Sequence, residues 1–263
     1  MNTTDTPILS IRGLAKRFGG VAAVSGIDLD VAARETVAII GPNGAGKTTL
    51  YNMISGRMTP SEGELVFEGR SITGLAPHRI SRAGISRSFQ INNIFPEMSV
   101  RENVEVAVSA RRGTARRWWN IASRARGVQD EAAALVERLS IAHLAERRAA
   151  TISYGDKRLL ELAMVLATRP RLVLLDEPTA GMTPDETQRV TALIRRLADS
   201  GEFTFLITEH DMAVVFGLAD RILVMHRGER LVLGTPEEVR VHPEVRRAYL
   251  GDTDEADEAD ETT

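Results

Sequence analysis

Apolar residues along this chain fall first into alternating runs, then into helical stripes, then into continuous blocks. Ile8-Leu9-Ser10-Ile11 and Ile27-Asp28-Leu29-Asp30-Val31 show the two-residue rhythm of strands. Val37-Ala38-Ile39-Ile40 is apolar throughout, as a strand covered on both faces must be. Residues 64–68 predict another short strand before Gly69. From about 92 to 167 the pattern is mostly helical. Ala132, Leu135, Val136 and Leu139 share one face of a helix predicted over 129–139. Leu172-Val173-Leu174-Leu175 and residues 203–207 return to continuous apolar blocks and read as buried parallel strands. Val190, Leu193, Ile194 and Leu197 between them mark an amphipathic helix. Residues 221–225 and 229–233 predict an antiparallel pair turning at Arg227-Gly228. Strands alternating with helices predict an α/β fold with a mostly parallel core sheet. The helical block is expected as a subdomain inserted between the first and second parallel strands.

The most specific chemistry in the chain lies immediately after the apolar run at 37–40. Gly41-Pro42-Asn43-Gly44-Ala45-Gly46-Lys47-Thr48-Thr49 matches the phosphate-loop pattern G-x-x-x-x-G-K-[ST]. Leu50, Met53 and Ile54 then keep helical spacing, and Gly56 ends the run. A strand, a glycine loop and a helix in that order let several backbone N–H groups and a helix dipole converge on one phosphate. Lys47 is expected to reach the β- and γ-phosphates, and Thr48 to place its hydroxyl on Mg²⁺. The plain alternative, a glycine turn, loses weight once strand and helix flank the loop.

Composition narrows the class. The chain has 263 residues, with 43% hydrophobic and 26% charged, which suits a soluble globular protein. No apolar stretch approaches the ~20 residues of a membrane span. MNTTDTPILS has no basic region followed by an apolar one, so no signal peptide is expected. There is no cysteine, which excludes disulfides and thiolate metal sites. The net charge of -3 hides an asymmetry: residues 252–263 carry seven acids and no base, leaving the rest at +4. That tail has almost nothing to bury and is expected to be disordered. The body is taken as residues 1–251. Residues 111–126 hold six arginines, no acid, and both tryptophans, Trp118 and Trp119. They read equally as a solvated basic helix or as a contact for a partner or anionic lipid.

Further motifs come in a fixed order. Leu172 to Thr179 ends an apolar strand in Asp176-Glu177, at the carboxyl edge where open α/β sheets bind ligands. Asp176 is expected to hold Mg²⁺ and Glu177 to act as general base on water. Alone, this would be a polar turn after a core strand; the phosphate loop tips the reading. Ile152-Ser153-Tyr154-Gly155-Asp156-Lys157-Arg158 precedes a helix, and Ser153 with Gly155 could present a hydroxyl and N–H groups to an anion. By itself such a start is an N-cap. His210, in Ile207-Thr208-Glu209-His210-Asp211, comes just after a buried strand; a lone histidine there is usually structural. Gln90 and Phe18 would, in isolation, be a surface polar residue and a core aromatic.

Taken together, these motifs resemble the ATP-binding cassette (ABC) ATPases over residues 8–235. The resemblance implies a P-loop NTPase cassette with an antiparallel β subdomain and an inserted α-helical subdomain at about 92–167. It implies that Phe18 stacks on adenine and that Ser153 and Gly155 form the signature facing a second ATPase subunit. It implies that His210 contacts the γ-phosphate and water. Gln90 would link Mg²⁺ and water to a membrane permease. Within the family, residues 86–104, the Ile152–Gly155 signature, Thr179–Pro184 and Val245–Gly251 resemble the importers of branched-chain amino acids. Related systems for urea or amide import or lipid export share several of these submotifs. The implied cofactors are ATP and Mg²⁺. The implied partners are transmembrane permease subunits, an identical or paralogous second ATPase and, indirectly, a solute-binding protein, with this chain held peripherally at the cytoplasmic face of the plasma (inner) membrane; nucleic acid is not expected. A GTPase would need N-K-x-D, which is absent, and cassettes acting on nucleic acid or ribosomes commonly carry two phosphate loops.

Three departures stand out. Tyr154 replaces the second signature residue. Asp156-Lys157 replaces the usual glutamine pair, with Lys157 and Arg158 as candidate neutralising groups. Thr183 stands where many cassettes have aspartate, and Thr183-Pro184-Asp185-Glu186 reads first as a helix capping box with proline at its first position.

Overall fold

The computed structural model describes residues 6–88, 94–113 and 121–247. In chain order the elements are β1 (Leu9–Phe18), β2 (Val21–Val31), β3 (Thr36–Ile40), α1 (Lys47–Ile54), β4 (Glu62–Phe67), β5 (Arg70–Ser71), α2 (Pro77–Ala83), β6 (Ile85–Arg87), α3 (Val100–Arg112), α4 (Ile121–Arg138), α5 (Tyr154–Ala167), β7 (Leu172–Asp176), α6 (Pro184–Asp199), β8 (Thr204–Thr208), α7 (Met212–Leu218), β9 (Arg221–His226), β10 (Glu229–Gly234), α8 (Pro236–Val241) and α9 (Pro243–Val245). They form two compact units, residues 1–77 with 206–263, and residues 78–205.

In the first unit β2, β1, β4 and β5 make an antiparallel sheet in that order. A second, mixed sheet has β10, β9, β3 and β8 as neighbours in that order. β3 runs parallel to β9, from Val37 opposite Arg221 to Ile40 opposite Val224. All five residues of β3 are buried, as its continuous apolar run requires. Ala38, Ile40, Val215, Ala219, Ile222, Val224 and Val239 close into one cluster beneath this sheet. β9 and β10 pair antiparallel, as expected, and Arg227 and Gly228 both take positive φ, 50° and 84°. Two successive positive φ values match the right-handed twist of a tight hairpin. β1 and β2 run longer than the alternating segments foretold, because bulges interrupt the alternation beyond Ile11.

In the second unit β6 and β7 pair in parallel, Ile85 opposite Leu172 and Arg87 opposite Leu174. β6 is a further strand, which precedes the helical block expected from about residue 92. Ile85-Ser86-Arg87 gives too little apolar signal for a strand to be read from sequence. α3 opens with a capping box between Ser99 and Glu102. The helix expected at 129–139 is the second half of α4, with Ala132 and Val136 buried and Leu139 buried just beyond its end. α5 is buried along most of its length.

One charge in this apolar setting is costly. Glu161 in α5 is 5% exposed, and its Oε2 accepts a hydrogen bond from Arg158 Nη1 at 3.1 Å. Its Oε1 and the Nε of Arg158 have no hydrogen-bond partner. Both residues line a cavity of about 20 Å³, shared with Ser88, Leu175 and Pro178. That volume accepts one water. Burial pushes the Glu161 carboxyl up to about 7, against the pull of Arg158. The folded-state value lies above the ordinary 4.5, so the stabilisation from a neutral carboxyl is full below about 4.5 and is lost as pH rises through about 7. Glu161→Gln should remove this dependence. In urea unfolding at stepped pH, wild-type stability relative to the variant should fall between pH 4.5 and 8 by at most about 3 kcal/mol. Parallel profiles would show that Glu161 is charged throughout.

Candidate functional site

The first unit builds the phosphate loop. β3 delivers the chain to Gly41 and α1 takes it away at Lys47, as the motif foretold. Two glycines are demanded by close approach. A Cβ on Gly41 would run into the carbonyl oxygen of Met225, and one on Gly46 into that of Ala23. Gly46 also holds φ 97°, a left-handed value, as the residue before α1. Backbone bonds brace the loop: Ala45 N–H to Pro42 O at 3.1 Å, Gly228 N–H to Ala45 O at 3.1 Å, and Ser25 N–H to Gly228 O at 2.8 Å. The loop is thus held by β2 and by the β9–β10 turn. α1 opens with no side-chain cap and no acid in its first turn, which leaves its positive end to an anion. Asn43, Gly44 and Thr48 are exposed, while Lys47 is buried with Nζ donating to the carbonyls of Gly41 and Pro42.

Phe18 ends β1, half exposed at 49%, with Lys16 Nζ 5.5 Å from its ring centroid. That exposure separates it from the core aromatic it might have been. His210 is exposed just after β8, and its N–H donates to Oε2 of the buried Glu209 at 3.0 Å. Asp211 beside it caps α7 through the N–H groups of Ala213 and Val214.

The second unit holds the carboxylates. β7 runs buried from Leu172 to Leu175 and brings Asp176 and Glu177 to its carboxyl end, both half-buried. Glu177 has φ 47°, a left-handed backbone that costs a non-glycine residue energy and turns the chain sharply here. The Asp176 carboxylate pairs with the guanidinium of Arg87, the last residue of β6. Arg87 was not foreseen; its one signal is its place three residues before Gln90. Gln90 itself lies outside the described residues, as do Trp118, Trp119 and the acidic tail.

Ser153 is the N-cap of α5. Its Oγ accepts the Asp156 N–H at 3.1 Å and donates to Asp156 Oδ2 at 2.9 Å. Arg189 Nη2 donates to Asp156 Oδ1 at 2.7 Å. The charge of Asp156 is therefore met by Arg189 of α6. Of the two neighbours expected to meet it, Arg158 pairs with Glu161 instead. Thr183 caps α6 with Pro184 at the first position and Glu186 closing the box, as the pattern predicted. Glu186 also reaches beyond its own helix, where Oε1 accepts the Gly155 N–H at 3.1 Å. Among the arginines expected to form a basic segment, Arg111 and Arg112 converge with Arg169 on Glu131. The three guanidiniums hold that carboxyl below the usual range although burial opposes them.

Comparison with known proteins agrees with this geometry. The "ABC transporter" family matches residues 24–180, and "Branched-chain amino acid ATP-binding cassette transporter" matches residues 230–255. The high-affinity branched-chain amino acid transport ATP-binding protein LivG of Salmonella typhimurium is 42% identical over 251 residues, covering 94% of this chain and 98% of LivG. The protein of the same description called BraF, from Pseudomonas aeruginosa, matches equally. The crystal structure of the ADP conformation of an ATP-binding cassette of an ABC transporter matches with TM-score 0.80 at 30% identity, over 93% of this chain and 99% of that one. A nucleotide-free cassette matches with TM-score 0.79, also at 30% identity, over 93% of this chain and 99% of that one. A phosphate loop braced between two β segments, an Asp-Glu pair ending a buried strand, and these full-length likenesses together place the chain in the ABC transporter family, as one of its ATP-binding ATPase subunits.

Proposed function

We propose that this chain powers a branched-chain amino acid importer, pairing with a second ATP-binding subunit beneath two permease subunits. The observation that carries the substrate is the 42% identity to LivG and BraF over 94% of the chain, joined to the C-terminal match at residues 230–255. Among the described residues no helix is long and apolar enough to cross a membrane, so attachment would come through the permeases.

The residues suit ATP and Mg²⁺. Gly41, Pro42, Asn43, Gly44, Ala45, Gly46, Lys47, Thr48 and Thr49 form the phosphate cradle, and the α1 dipole favours the anion. Lys47 would exchange its two loop carbonyls for phosphate oxygens. Among the described residues no three His, Asp or Glu side chains gather as a metal site. This agrees with Mg²⁺ chemistry, in which phosphates and waters fill most positions and the protein adds one or two oxygens. Thr48 and Gln90 would supply these, and Asp176 would hold the ion through a water. Bound Mg²⁺ would neutralise charge on the β- and γ-phosphates. Glu177 would take the proton of the attacking water, His210 would orient that water against the γ-phosphate, and Phe18 would stack on adenine. Ser153 and Gly155 would serve the nucleotide of the second subunit. Asp176 pairs with Arg87, which would yield part of that carboxylate to Mg²⁺.

The permease contact would lie on residues 90–98, and Phe95 is the member of that stretch whose setting supports it. Its side chain is 46% exposed, yet its backbone is clamped from both sides by the buried Asn103: Oδ1 accepts the Phe95 N–H at 2.7 Å and Nδ2 donates to its carbonyl at 3.0 Å. An exposed aromatic on a fixed backbone suits a docking surface.

Three outcomes test this. Glu177→Gln should keep ATP binding and lower hydrolysis by roughly 10²–10⁴-fold, while Lys47→Ala should lose nucleotide affinity; near wild-type turnover by the glutamine variant would strip Glu177 of its role. Arg87→Met should cost about 2 kcal/mol in urea unfolding, because it removes a charge-assisted hydrogen bond from a half-buried carboxylate; Mg²⁺ should return part of that stability in the presence of ATP, and an unchanged midpoint would mean that Asp176 does not depend on Arg87. Phe95→Asp, co-expressed with the permeases, should retain the ATPase activity of the isolated subunit and lose co-purification and leucine transport. Normal leucine transport would move the coupling surface elsewhere, and transport of another solute alone would change the substrate.

A further inference from the structure

The Gly155 N–H at the start of α5 is already taken, by a carboxylate of the chain's own α6. Glu186 Oε1 accepts that N–H at 3.1 Å. Its Oε2 accepts the Thr183 N–H and Thr183 Oγ–H, both at 3.2 Å. A Cβ on Gly155 would sit 2.8 Å from Oε1, so any larger residue there would push the Glu186 side chain back. The Thr183 and Gly155 N–H groups, with smaller help from Ser153, hold the Glu186 carboxyl below its usual range. A capping box needs only the Thr183 side of this arrangement. The reach to Gly155 is additional, and it lays one anion across the starts of two helices.

We propose that Glu186 is an internal stand-in for phosphate, a latch that must leave Ser153–Gly155 before the nucleotide of a second subunit can bind there. The latch rests on the proposed role of Ser153 and Gly155 in receiving that nucleotide. A carboxylate and a phosphate are both anions and both want the Gly155 N–H and the positive end of α5, so they exclude each other. The latch therefore sets how much ATP is needed for two subunits to pair. The two oxygens divide the work: Oε2 can keep capping α6 while Oε1 swings clear.

The test is ATP-dependent pairing of the full chain in the Glu177→Gln background, alone and mixed with the second ATP-binding subunit of its transporter. Light scattering reads the ATP concentration for half-maximal pairing. Adding Glu186→Gln removes the competing charge and should lower that concentration about fivefold, the effect of a unit charge about 4 Å away when bulk water screens it. Glu186→Asp keeps a carboxylate for the Thr183 cap but is one methylene short of Gly155, so it should also lower it. A capping role alone predicts the reverse, a lower melting temperature with an unchanged or higher ATP requirement, and that result would overturn the latch. Ser153→Arg is the control for the underlying reading. If it abolishes pairing while the Glu186 variants match their parent, the signature reading stands and the latch falls. If ATP pairs none of these proteins in either sample, both fall.

Discussion

The nucleotide chemistry of this molecule depends on how closely backbone approaches backbone around the phosphate loop. The carbonyl oxygens of Ala23 and Met225 stand where side chains on Gly46 and Gly41 would be. The loop can sit there only because those two positions have no Cβ, and once there it is braced by the hydrogen bonds linking Ala45, Gly228 and Ser25. Such bracing fixes N–H directions before any phosphate arrives, so little reorganisation remains on binding. It also explains why three distant stretches of sequence belong to one unit: β2 and the β9–β10 turn are the walls against which the loop is pressed.

A second regularity concerns negative charge. Carboxylates beside the proposed phosphate-binding motifs meet an internal partner: Asp176 meets Arg87, Asp156 meets Arg189, and Glu186 meets the N–H groups of Gly155 and Thr183. A site built for a polyanion cannot leave carboxylates unmatched nearby, because their repulsion would oppose the ligand. Pairing them within the fold supplies that match. In the proposed mechanism it also supplies the means of change: Arg87 would yield to a metal ion and Glu186 would release the Gly155 N–H to phosphate. Glu161 is the contrasting case. Its single partner Arg158 does not offset burial, and its carboxyl is raised, not lowered.

The sequence alone determined what depends on local order. Continuous apolar runs marked β3 and β7, since a strand covered on both faces needs apolar residues at every position. The glycine spacing of 41–49 marked the phosphate loop, and Thr183-Pro184-Asp185-Glu186 marked the start of α6, because both are decided within a few residues. The family resemblance read from ordered motifs agrees with the ABC matches, since each motif sits at a strand end or a helix start. β6 was not legible, because a three-residue strand is held by its pairing to β7 and not by its own pattern. Neither were the long-range partners of the chain's charges. Arg87 meets Asp176 across 89 residues and Glu186 meets Gly155 across 31. Only tertiary packing decides which guanidinium or N–H lies within hydrogen-bond reach, because such pairings are set by side-chain direction across neighbouring elements and leave no periodic trace in the chain.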